Sequence, residues 1–205
     1  MSTDISVLRS RLRIDLSEAA ADRWADEDLD RHIHHAIRDL NRAAPREMVD
    51  NSLTIADPAS HALDIAPLTG LISVAAVEYP VGGHPRRLRH FELWGSTLTL
   101  LTDAMPVAGA QVNVFYTVPH TADASGCTIP DHMEDIVLVG AAGYALLDQL
   151  ASTHDRVTIG GRRTADHLHR HASDLLMQFR QDLTALKRQR RHALRTGELW
   201  TEDER

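Results

Sequence analysis

From Arg23 to Pro45 the chain carries a full helix specification, with a start, a face and a stop, and this segment constrains the fold more than any other. Leu29, Ile33, Ala36, Ile37 and Leu40 recur at helical spacing, so one stripe is apolar and the remainder is charged. Asp26 is placed to accept from the free amides of the first turn, and Glu27 and Asp28 sit where the positive helix end favours acids. Trp24, just ahead of that cap, can pack back on the helix as an entry staple, and Pro45 ends the run. This grammar describes architecture rather than chemistry.

The same period recurs on both sides of a different middle. Ile5, Leu8, Leu12 and Leu16 predict a short first helix. From about Met48 to Val118 the periodicity changes to that of strands. Six are predicted: at Leu53–Ile55, Ala62–Ile65, Leu71–Tyr79, Arg87–Trp94, Thr97–Leu101 and Gln111–Tyr116, separated by Gly, Pro and Asp-Pro turns. Helix grammar returns at Ile129-Pro130-Asp131, with Pro130 expected at the first helical position. The run from Ile136 to Leu147 is apolar nearly all round, so this helix is expected at the centre of a bundle. Gly140 and Gly143 would permit close helix approach there. After Gly160-Gly161 a last helix is predicted from Thr164 to Leu194, about 45 Å long at about 1.5 Å per residue, with a stripe from Leu168 to Leu186.

The predicted fold class is α+β: a bundle of about four helices with a long C-terminal one, and an inserted small antiparallel sandwich or barrel-like module. The expected domains are 1–46 and 119–195 as the helical body, 47–118 as the β insertion and 196–205 as an acidic docking tail.

Hydrophobic content of 43% is globular, and no apolar run approaches the roughly 20 residues that span a membrane. The start Met1-Ser2-Thr3-Asp4 lacks an apolar leader, which predicts a cytoplasmic protein without a signal peptide. A lone Cys127 offers no internal disulfide and no Cys pair for zinc. The formal net charge of −7 argues against a general nucleic-acid binder, because duplex binding rests on cations that displace counterions. The charge is uneven, however. Arg156, Arg162, Arg163, Arg170, Arg180, Lys187, Arg188, Arg190, Arg191 and Arg195 face only Asp166, Asp174 and Asp182, before the tail turns acidic from Glu198 to Glu204. Such polarity suits head-to-tail contact between identical subunits, or docking on a charged partner, although a solvated basic helix face is the commoner meaning.

Candidate chemistry is sparse. His32 with His35, and His167 with His171, have helical spacings compatible with metal ligation, but neither pair belongs to a His-Glu-x-x-His motif. Polar-face histidines are the simpler reading. Gly160-Gly161-Arg162-Arg163 lacks the spacing and the Lys-Ser/Thr of a phosphate loop and reads as an interhelical turn. Cys127 would need a histidine and an orienting group to act as a thiol nucleophile, and no Gly-x-Ser-x-Gly is present. No catalytic residue, metal or cofactor is expected. The basic run Lys187-Arg188-Gln189-Arg190-Arg191 could contact phosphate or a protein, or be solvated. Trp200, with Leu194 and Leu199, is an apolar anchor in an otherwise polar terminus.

Several segments together resemble the adaptor proteins of tailed bacteriophages, the head-to-tail connector subunits encoded beside capsid genes. They are Arg23–Leu29 with Ala36–Asn41, Val77-Glu78-Tyr79-Pro80, Phe91–Leu100, Ile129 to Ala145, and Arg156–Gly161. The β-rich insertion is larger than in minimal helical members. The resemblance implies a structural virion protein at the head–tail interface, assembled in the host cytoplasm, that forms a ring beneath the portal, usually twelvefold. That ring would extend the channel through which genomic DNA passes without sequence-specific binding, and would meet the next connector or tail protein. Portal docking would then fall to Lys187, Arg188, Arg190, Arg191, Leu194, Leu199 and Trp200. Two other classes remain open: a DNA-binding regulator using the basic last helix, and a histidine- or Cys127-dependent enzyme.

Overall fold

The computed structural model describes residues 3–17, 23–153 and 162–198. The Gly160-Gly161 turn and the acidic tail with Leu199 and Trp200 lie outside the described residues. The chain divides into two compact units, one combining the residues up to Ala44 with His120–Arg190, the other built on Pro45–Pro119.

The first unit holds α1 (Ile5–Asp15), α2 (Asp26–Ala43), α3 (Asp131–Thr153) and, as far as Arg190, α4 (Arg162–Glu198). Asp4 caps α1 with a side-chain bond from the Val7 amide at 3.0 Å. Leu8, Leu12, Leu29, Ile33 and Leu40 are fully buried from α1 and α2, and Trp24 is only 6% exposed. They meet Val137, Leu138, Ala141 and Ala145 of α3, and Ala172 and Phe179 of α4, in one core.

Asp26 is not the cap that the sequence suggested. Ala25 holds that position without a side-chain cap bond, and the Asp26 carboxylate instead takes Arg13 Nη2 at 2.7 Å and Arg9 from α1. A charge-assisted bond to a guanidinium outcompetes one to a neutral amide. Arg13, the first of several causes, holds the carboxyl below the usual aspartate range. Pro130 also stands one residue ahead of its expected place, immediately before α3, with its carbonyl accepting from the Met133 amide at 2.8 Å.

In α3 the two glycines sit where α4 crosses. A Cβ on Gly140 would lie 2.9 Å from three atoms of the Phe179 ring, and one on Gly143 would lie 2.7 Å from Leu176 Cγ. Absent side chains are what let these helices touch. α4 is longer than the predicted 164–194, at 37 residues and about 55 Å.

The second unit is an antiparallel sheet of β1 (Arg46–Asp50), β2 (Ala62–Asp64), β3 (Ser73–Glu78), β4 (Leu88–Trp94), β5 (Thr97–Leu101) and β6 (Asn113–Val118). Its order is β1-β6-β3-β4-β5-β2, and it curls as a half-barrel. β3 and β4 pair only through Val77–Arg89 and Glu78–Leu88, while β3 otherwise follows β6 and β4 follows β5. Ile55, Leu63, Ile65, Val77, Leu98, Leu100, Val112 and Val114 fill the inner side. The Leu53–Ile55 segment forms no strand. It makes an isolated bridge at Thr54–Gln111, yet Leu53 and Ile55 remain in the core. The sequence reading missed β1 and also a small hairpin of β7 (Ala122–Asp123) and β8 (Gly126–Cys127) that belongs to the helical unit.

Candidate functional site

His32 is 4% exposed on α2, and its Nε2 lacks a hydrogen-bond partner, lying 3.5 Å from Asp148 Oδ2 of α3. Burial, more than the nearby Arg31, pushes its pKa below the ordinary histidine value, so it sits neutral in the core. His35 goes elsewhere: its ring stacks on Tyr144 of α3 with centroids 4.0 Å apart. The pair therefore does not converge on a metal, and among the described residues no group of three or more His, Cys, Asp or Glu could hold one. His167 and His171 are exposed on α4.

Cys127 receives the Ile129 amide at Sγ at 3.4 Å, and burial pushes its thiol up, opposite to what a nucleophile needs. A polar cluster joins α2 to α3: Tyr144 donates its hydroxyl to Asp39, whose other oxygen takes Arg42 at 2.7 Å. Burial first, then the Asp39 carboxylate, raises the Tyr144 phenol to about 12. That shift carries the Tyr144 phenol away from proton transfer near neutral pH.

Of the segments behind the resemblance, Arg156–Gly161 lies outside the described residues, and the others hold structure. Asn41 makes two bonds to the backbone of His120, donating from Nδ2 to its carbonyl at 3.1 Å and accepting from its amide at 2.7 Å. In the second unit Glu78 is 3% exposed and accepts from Asn113 Nδ2 at 3.0 Å. The Tyr79 hydroxyl accepts from the Val107 amide at 2.8 Å, and its carbonyl accepts from Arg89.

The apolar stripe of α4 runs through Leu168, Ala172, Leu175, Leu176, Phe179, Leu183 and Leu186, all in or against the core. The helix then continues through about three further turns to Glu198. Lys187 and Arg188 on it are exposed and Arg190 is half-buried. The structure thus puts Lys187, Arg188, Arg190, Arg191 and Leu194 on one helix, while the side chains of Arg191 and Leu194, like all of Leu199 and Trp200, lie outside what is described.

A groove of about 670 Å³ opens along α4. Leu176, the 58%-exposed Met177 and Leu147 of α3 form its apolar part, and Arg180 and Arg188 its charges. A smaller hollow of about 310 Å³ is lined by Tyr144, Phe179, Arg42, Arg180 and Lys187.

The second unit contributes a feature that the sequence reading passed over: Trp94, at the tip of the β4–β5 hairpin, is 89% exposed. Alternation could have found it. Phe91 and Leu93 read as one face of β4, which puts Trp94 on the other with His90 and Glu92, an aromatic where polar residues belong.

No family model and no curated protein matches the chain. Among solved structures, one chain described as the neck of an empty GTA particle computed with C6 symmetry is similar at 17% identity. The match covers 70% of this chain and 77% of that one, with a TM-score of 0.28.

Proposed function

We propose that this chain is a structural, non-catalytic component of a tailed-phage-like particle. In this reading it forms a ring beneath the portal, extends the DNA channel and joins head to tail. The observation that carries the reading is α4. Among the described side chains its core-facing stripe ends at Leu186, and the helix runs on to Glu198 with a strongly basic sequence, which suits a partner more than the chain's own core. The resemblance of Arg23–Asn41, Val77–Pro80 and Ile129–Ala145 to connector adaptors agrees in kind.

Residues 1–46 and 119–195 would be the body of the subunit, 47–118 an inserted module, and 196–205 the docking tail. Lys187, Arg188, Arg190 and Arg191 would meet acceptors on the portal, with Leu194, Leu199 and Trp200 as apolar anchors. The net charge of −7 fits a lumen past which DNA slides without sticking.

Co-sedimentation of the purified chain with portal rings from the same genome tests this. The parent should co-sediment, and a chain ending at Arg195 should remain folded but bind more weakly. Tight, salt-sensitive binding to duplex DNA with no binding to portal would instead make the chain a DNA-binding protein that uses the basic helix.

A further inference from the structure

We propose that the Trp94-tipped hairpin of one copy seats in the α4 groove of the next copy, which makes it a contact between neighbouring subunits of the ring. The inference rests on the ring reading above and supplies its interface.

The donor is built for insertion. β4 and β5 are joined by only Gly95-Ser96, with Gly95 at φ +59°, so the turn holds Trp94 rigidly at the tip against Thr97. The pairing register puts Trp94–Thr97, Glu92–Thr99 and His90–Leu101 on one outward face. That face carries Trp94 at 89% and Leu101 at 48% exposure, with Glu92 of β4 and, paired with Thr97, the exposed Asp64 of β2 as carboxylates. A large rigid ring left in water has much to gain by burial and little rotamer entropy to lose.

The acceptor has complementary chemistry. Met177 is 58% exposed over Leu176 and Leu147, and Arg180 and Arg188 supply positive charge, while the described residues lining the groove include no acid. An indole entering beside those guanidinium groups gains apolar contact with the methionine and cation–π attraction, and Glu92, two residues back on the same face, meets an arginine. Donor and acceptor are different surfaces, so the contact is heterologous and repeats around a ring.

Sedimentation of the full chain across a concentration series provides the test. Trp94→Ala should weaken self-association roughly thirtyfold, the loss typical of a buried tryptophan anchor. Met177→Glu should do the same by setting an acid against Glu92. Glu92→Arg should weaken it, and adding Arg180→Glu to that variant should restore part of the loss. Both Trp94 and Met177 are exposed, so circular dichroism should show every variant folded. A photo-crosslinker at position 94, in a mixture of ordinary and 15N-labelled chains, should join light to heavy chains within 173–188. The proposal is overturned by a Trp94→Ala chain that associates like the parent, by cross-links elsewhere or only within one chain, or by a parent that stays monomeric throughout. If portal decoration persists in Trp94→Ala with parental self-association, this contact fails and the neck reading stands. If Trp94→Ala weakens self-association but the parent never decorates portals, only the neck reading fails.

Discussion

At the scale of single residues, the polar groups that draw attention in the sequence serve the interior. His32 reads as a surface histidine in a charged helix, yet its position on the apolar side of α2 buries it against Asp148. Its depressed pKa has a thermodynamic consequence. Below the ordinary value of 6.5 the unfolded chain takes up a proton that the folded chain resists, so stability is full above that pH and falls as acid is added. The thermal midpoint of the parent should therefore drop between pH 7.5 and pH 5, and the drop should be smaller in His32→Leu; an equal drop in both would place the sensitivity elsewhere. Tyr144 carries the opposite signature. Raised to about 12, it should resist ionisation that the unfolded chain undergoes near 10, which ultraviolet titration of the phenol would read as a late step. Asn41→Ala removes both bonds to the His120 backbone and should cost about 1–3 kcal/mol in urea unfolding, since buried amide and carbonyl groups lose their partner.

At the scale of elements, the helices were legible and the strand edges less so. Periodicity finds a helix from many residues at once, which is why Ile5–Asp15 and Asp26–Ala43 emerge from Leu8, Leu12, Leu29, Ile33 and Leu40. β1 has only Met48 and Val49 as apolar residues and lies at a sheet edge, stabilised by pairing with β6 that no local pattern records. Leu53 and Ile55 alternate like a strand, but their backbone turns to bridge the segment before β6 at a single point. The cap at Asp26 was misplaced for a related reason: its true partners, Arg9 and Arg13, lie on another helix. The α3–α4 crossing was readable, because glycines in an apolar helix have few other uses. Gly140→Ala gains about 1 kcal/mol in helix propensity but drives a methyl against the buried Phe179 ring, an overpacking that costs about 1–3 kcal/mol. With Phe179 at 1% exposure and unable to yield, net destabilisation is expected on denaturant titration.

At the scale of the whole molecule, charge and exposed apolar groups are unevenly distributed over the surface. The helical unit offers the groove and the basic turns of α4, and the second unit offers the hairpin tip at Trp94. The sequence disclosed the charge asymmetry behind the first, because ten basic residues between Arg156 and Arg195 stand out on a chain of net charge −7. It disclosed Trp94 only as one more strand aromatic, since exposure at a turn depends on which face the rest of the sheet covers. Trp200→Ala should leave the melting curve unchanged while weakening portal attachment by about 2 kcal/mol, the loss of one anchoring ring. The most direct test is negative-stain imaging of the purified chain mixed with portal rings. The account predicts a second ring, coaxial with the portal and stacked on one end, with the central channel open through both. Portals that remain bare at saturating protein, with the chain dispersed as monomers around them, would contradict it.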